Sequence, residues 1–174
     1  QFPAVLVTGA RQAGKTSILR HLYPQASYLS LDLPTNAEAA NTAPEQLLSQ
    51  HPEPVIIDEI QYAPSLLRHL KYRIDKNRSP GRYLLTGSQV FPLMQGVSES
   101  LAGRCAVLNL HTLSRAELVD AGYPAEETSH IFLGGYPELH LRAEADLWFS
   151  AYVATYLERD VRNILRVVDL QDFN

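Results

Sequence analysis

The stretch GARQAGKT, residues 9–16, decides how this chain is read. Two glycines five positions apart are followed at once by Lys15 and Thr16, and the apolar run AVLV, residues 4–7, comes just before. Two readings compete: a glycine-rich turn that happens to precede a lysine, and a cradle for phosphate. The four fixed positions of G-x-x-x-x-G-K-[S/T] would meet by chance in a chain of this length roughly once in a hundred sequences or less. The surroundings favour the cradle. An apolar strand leads in, and TSILRHL leads out with Ile18, Leu19 and Leu22 at helical spacing. A helix start leaves N–H groups unpaired, and its dipole favours negative charge there. Gly9 and Gly14 would let the loop (Gly9, Ala10, Arg11, Gln12, Ala13, Gly14, Lys15, Thr16 and Ser17) wrap phosphate oxygens. Lys15 would reach the β- and γ-phosphates, and the Thr16 hydroxyl would join the shell of a magnesium ion.

Bulk properties set the frame. A length of 174 residues suits one domain, or a core with a small appendage. The apolar fraction of 45% with 20% charged residues is that of an ordinary globular protein. A net charge of −4 exerts no general pull on nucleic acid, so such contact would need a local patch. The single cysteine, Cys105, excludes an internal disulfide framework and fits a reducing cytoplasm. No apolar run approaches the ~18 residues of a membrane span, and no signal-peptide pattern opens the chain. The only methionine is Met94, so Gln1 is not a translation start, and the chain reads as a piece of something longer.

Up to about residue 111, apolar runs alternate with helical patterns, which predicts a parallel α/β sheet. Strands are expected at Ala4–Thr8, Tyr28–Asp32, Val55–Asp58, Tyr83–Gly87 and Cys105–Leu110, with helices near Thr16–Leu22, Pro44–Gln50 and Pro64–Lys76. FPLMQGVSESL, residues 91–101, should hold a short helix. Beyond His111 the texture becomes helical. Ser114 reads as an N-cap with Glu117 completing a capping box and Gly122 as the stop. FLGGYPEL, residues 132–139, reads as a turn, and a long helix is expected from Asp146 to Asp169. The expected division is therefore an α/β core at 1–111 and a helical lid or linker at 112–174.

PVIIDE, residues 54–59, is an apolar strand ending in two carboxylates. Alone it could be a buried strand entering solvent. Behind a phosphate loop, at the carboxyl edge of a parallel sheet, it becomes a site. Asp58 would hold magnesium through water, and Glu59 would polarise an attacking water. An adjacent acid pair implies hydrolysis more than transfer to a second substrate. YLLTGSQ, residues 83–89, ends a further strand in hydroxyls; either it makes a Gly-Ser turn, or Ser88, with Thr86 second, senses the γ-phosphate. Arg104 stands before a strand, as a surface arginine or as a finger reaching a neighbouring subunit's ATP.

Taken together, GARQAGKT, LSLD, VIIDEIQ, LLTGSQ, SESLAGR, GGYPEL and YLERDVR resemble the prokaryotic AAA+ ATPase family in which an AAA+-like domain precedes a C-terminal domain of unknown function. The resemblance runs along nearly the whole chain. It implies a P-loop fold of strand order 5-1-4-3-2 that uses ATP. Lys15 and Thr16 are then Walker A, Asp58 and Glu59 Walker B, Ser88 sensor 1 and Arg104 the finger arginine of a homo-oligomer. The segment that family members carry before the first strand is missing here, as is the C-terminal domain, where the element driven by ATP is expected.

Other signals are weaker. RHLKYRIDKNR, residues 68–78, could grip a phosphate backbone, but cations near a helix C-terminus suffice to explain it. Arg159, Arg162 and Arg166 form a stripe that reads as a salt-bridged row before a nucleotide-sensing one. The histidines lack metal-ligand spacing, and no nucleophile elbow is present. Three functions remain in view: a switch ATPase, a nucleic-acid translocase suggested by DEIQ (Asp58 to Gln61), and a nucleotide-dependent binding module with vestigial hydrolysis. The chain has no room for the second RecA-like domain of a helicase, and binding alone would not need Glu59.

Overall fold

The computed structural model describes residues 1–88, 96–97, 99–123, 127–141 and 144–157. Its backbone divides into two compact units, Gln1–Thr112 and Leu113–Asn174. In the first, strands β1 (Ala4–Thr8), β2 (Ser27–Ser30), β3 (Val55–Asp58), β4 (Tyr83–Gly87) and β5 (Cys105–Asn109) form one parallel sheet. Their order, β2-β3-β4-β1-β5, is the expected 5-1-4-3-2 read from the opposite edge.

Period-two alternation sorts the strand side chains onto two faces. Ala4, Leu6, Val55, Ile57, Tyr83 and Leu85 pack on one face in a cluster that includes residues of α2 (Pro34–Thr42), α3 (Pro44–Ser49) and α4 (Leu66–Lys76). Helix α4 buries Leu66, Leu67, Leu70 and Ile74, each contributing about 1.5–3 kcal/mol of transfer free energy. Val7, Ile56 and Leu84 face the other way and meet Leu19 of α1 (Lys15–Leu22). The central strands are apolar on both faces because helices cover both.

Two details depart from expectation. Helix α2 was not foreseen, because PTNAEAANT buries only Ala40 and so lacks a hydrophobic period. It forms because Pro34 sits at its first turn and alanines favour helix. Strand β2 stops at Ser30 where Asp32 was expected: Leu31 N–H still donates to the Asp58 carbonyl at 3.0 Å, and the chain then turns into α2. Of the helix foreseen at 91–101, residues 96–97 and 99–101 are helical, with Val97 and Leu101 in the core, and the rest lies outside the described residues.

The second unit contains α5 (Arg115–Asp120), α6 (Glu127–Leu133), α7 (Pro137–Leu141), α8 (Ala145–Tyr152) and a π-helical turn at Val153–Leu157. Ser114 and Glu117 cap α5 reciprocally, as their spacing predicts. The turn expected across 132–139 narrows to three residues, because Phe132 and Leu133 end α6 and Pro137 begins α7; Gly134 makes the bend at φ 64°. The expected long helix begins as α8. Its continuation, with Arg159, Arg162 and Arg166, lies outside the described residues. Trp148 stacks on Tyr152 at 4.9 Å and lies 4.9 Å from Tyr136, an aromatic cluster of this unit. Among the described residues no helix is long and apolar enough to cross a membrane.

Candidate functional site

Parallel strands end at one edge, and there β1, β3 and β4 deliver residues 9–16, 58–61 and 86–88 to one place. The loop after β1 needs its glycines. Gly9 has φ 140°, and a Cβ there would lie 2.1 Å from the Leu110 carbonyl oxygen. Leu110 cannot retreat cheaply, since its N–H donates to the Thr8 carbonyl at 2.8 Å. Gly9→Ala is therefore expected to destabilise the protein by roughly 1–3 kcal/mol or more, read as a lowered urea midpoint with unchanged m-value. Gly14 has φ 92° and opens α1 with no side-chain cap, so the first-turn N–H groups receive no side-chain acceptor.

Lys15 is only 5% exposed. Its ammonium donates to the carbonyls of Gly9 at 3.1 Å and Ala10 at 2.7 Å. Burial pushes its pKa down, the Glu59 and Asp58 carboxylates push it back up, and Arg11 lowers it again. Both of these hydrogen bonds go to neutral carbonyls, with the two carboxylates acting only through their charge, and a buried cation so placed is poised for an anion.

Asp58, 8% exposed, collects hydroxyls. Thr16 Oγ1 donates to its Oδ1 at 2.6 Å, Tyr28 OH to its Oδ2 at 2.8 Å, and Thr86 Oγ1 to its Oδ1. The β3–β4 register, Ile57 beside Leu85, places Asp58 next to Thr86. Thr16 and Asp58 thus bring hard oxygen donors together, the chemistry magnesium selects. No group of three or more His, Cys, Asp or Glu side chains suited to a metal occurs among the described residues.

Glu59 sits in the left-handed region, φ 57° and ψ 50°, at the start of a 3₁₀ turn, Ile60–Tyr62. Its N–H donates to Thr86 Oγ1 at 3.0 Å. Its carboxylate oxygen Oε2 accepts from Ser88 Oγ at 3.1 Å and from the Gln61 amide. The structure therefore brings Lys15, Thr16, Asp58, Glu59 and Ser88 together at one edge.

Arg104 is elsewhere. It immediately precedes β5, at the amino edge of the sheet, where its carbonyl accepts from Ala4 N–H at 3.1 Å. Its guanidinium grips Asp75 through two bonds, 2.7 and 3.0 Å, and reaches the Ala102 carbonyl at 3.0 Å. The guanidinium holds the Asp75 carboxyl below its ordinary pKa, chiefly by hydrogen bonding.

Tyr28 and Gln61 are site residues that sequence reasoning did not select. Tyr28 comes from β2, and only the β2–β3 register brings its phenol to Asp58. Burial first, then the Asp58 contact, raises its pKa, while Arg20 lies over its ring at 5.1 Å. Gln61 was visible in DEIQ, but there it suggested a translocase.

Comparison with known proteins adds the following. A family model described as AAA domain matches residues 1–119. Uncharacterized proteins of Mycobacterium bovis and Mycobacterium tuberculosis are each 34% identical over 165 residues, covering 93% of this chain and 37% of their own length. The chain thus spans little more than a third of these curated relatives. Among solved structures, the Walker-type ATPase of Pyrococcus abyssi is similar in fold, with a TM-score of 0.56 at 17% identity. That likeness covers 95% of this chain and 71% of the other.

Proposed function

We propose, on the premise that this chain belongs to the AAA domain family, that it binds ATP with magnesium and hydrolyses it, coupling the cycle to movement of an attached effector. The observation that supports this best is the convergence of a buried Lys15 ammonium, the Thr16–Asp58 pair and the Glu59 carboxylate at one strand edge. The loop N–H groups of residues 9–17 would cradle the phosphates, and Lys15 would exchange its two carbonyl acceptors for phosphate oxygens. Magnesium, when bound, would neutralise charge on the β- and γ-phosphate oxygens. Thr16 and Asp58 would hold it, Asp58 through water. Glu59 would draw a proton from the attacking water, and Ser88 would report the γ-phosphate through Glu59.

Residues 1–111 act in this reading as the ATPase core and 112–174 as a lid or linker. The effector would lie in the remainder of a longer protein, which the length of the curated relatives supports. The cytoplasm is its compartment here, in keeping with a single cysteine. A trans-acting role for Arg104 would require it to leave Asp75, so it could contribute only on assembly with another copy.

The test is titration with magnesium and ADP, followed by hydrogen exchange. One site is expected, with slowed exchange at residues 9–17. Absence of binding, or protection confined to other segments, would count against the reading.

A further inference from the structure

We propose that Gln61 is a positioning residue that selects which oxygen of Glu59 acts on water, an inference that rests on the ATPase reading above. The side-chain amide of Gln61 carries two N–H bonds, one to Glu59 Oε2 and one to Ser88 Oγ at 3.3 Å. Ser88 in turn donates to the same Glu59 Oε2 at 3.1 Å. The three side chains close a triangle whose two donors converge on one carboxylate oxygen. Glu59 Oε2 is thereby occupied, and Oε1 is left as the basic oxygen.

The backbone explains why Gln61 can do this. Glu59 in the left-handed region reverses the chain, and the 3₁₀ turn brings residue 61 back over residue 59. Ile60 and Ala63, both fully buried, anchor that turn to the core. The amide cannot be reversed, since its oxygen would then face the carboxylate. In this orientation Gln61 Oε1 is buried with no partner, so the amide gives up one acceptor to keep both donors on the site. A residue serving only the turn would gain by pointing that oxygen to solvent.

In the reaction, the water oxygen bonds to the γ-phosphorus while the bond to the ADP oxygen breaks with its electron pair. The water proton passes to Glu59 Oε1 and then to the released phosphate. Gln61 touches none of these atoms. It fixes the carboxylate that does.

The experiment measures kcat, KM and the Kd for magnesium-ADP in the natural full-length protein, for wild type, Gln61→Leu, Ser88→Ala and the double variant. Gln61→Leu should lower kcat roughly 10- to 100-fold with Kd within about twofold, because misplacing a base costs turnover and not phosphate binding. The double variant should lose less than the product of the single losses, since both donors serve one oxygen. If Gln61→Leu fails to fold, Gln61→Met keeps length and charge while removing the amide donors, and the same loss is expected. A folded variant with kcat within about twofold of wild type, or with equal losses in kcat and magnesium-ADP affinity, overturns the inference. Wild-type protein that binds no magnesium-ADP overturns the ATPase reading itself and this inference with it.

Discussion

In the Glu59→Gln variant, ATP turnover is expected to fall about 10²- to 10⁴-fold while magnesium-ADP affinity stays within about threefold. Glutamine keeps the shape of the side chain and can still accept from Ser88, but it cannot take a proton. The hydrogen bonds of the Glu59 side chain go to Ser88 and Gln61 and not to the phosphate loop, and its N–H bond to Thr86 survives the change, so the loop loses only the carboxylate charge that supports the Lys15 ammonium. The base is thus separable from the cradle. Single-turnover rates and ADP titration on the same preparation check this. Equal losses in affinity and turnover would show that Glu59 holds nucleotide rather than activating water.

Lys15→Ala should do the reverse and lower nucleotide affinity by about 2–4 kcal/mol, roughly 30- to 1,000-fold in Kd, from lost charge-assisted bonds to phosphate. A second consequence follows from its surroundings. In the free protein Lys15 is a buried cation bonded only to the Gly9 and Ala10 carbonyls, and burial is the largest influence lowering its pKa. Removing such a group relieves desolvation as well as deleting hydrogen bonds. The melting temperature of the free protein should therefore change little, while the rise in melting temperature that a given magnesium-ADP concentration produces in the wild type should shrink to about a third or less. Thermal scans with and without ligand separate the two effects. A variant that melts far below wild type without nucleotide would mean Lys15 is a structural residue first.

The five strands and the loop after β1 were readable in advance, because apolar runs, glycines at fixed spacing and an acid pair are local patterns. The strand order came only from the resemblance to the AAA+ ATPase family, which the sheet matches. Ser114 and Glu117 were equally legible, because a capping box is written in four consecutive residues. Helix α2 was not, since PTNAEAANT carries no hydrophobic period and leans on Pro34 and alanine propensity.

What tertiary structure alone decided are the partners across strands and loops. No spacing in the chain tells that Tyr28 reaches Asp58, because that depends on the β2–β3 register. Gly9 is required by its own φ of 140° and also by the carbonyl of Leu110, far along the chain, which paired strands carry to its side. Arg104 could be read as a surface arginine or as a finger for a neighbouring copy, and only the fold shows that within one chain it grips Asp75 of α4, because a residue that precedes a parallel strand is delivered to the edge opposite the loop. Gln61 meets Glu59 because one residue adopts φ 57° and turns the chain back on itself. Residue types and their order along the chain determined which chemistry is available. Register, strand direction and one backbone reversal decided which groups can act on each other, since electrostatic and hydrogen-bond contacts fall off within a few ångströms and only the folded sheet sets those distances.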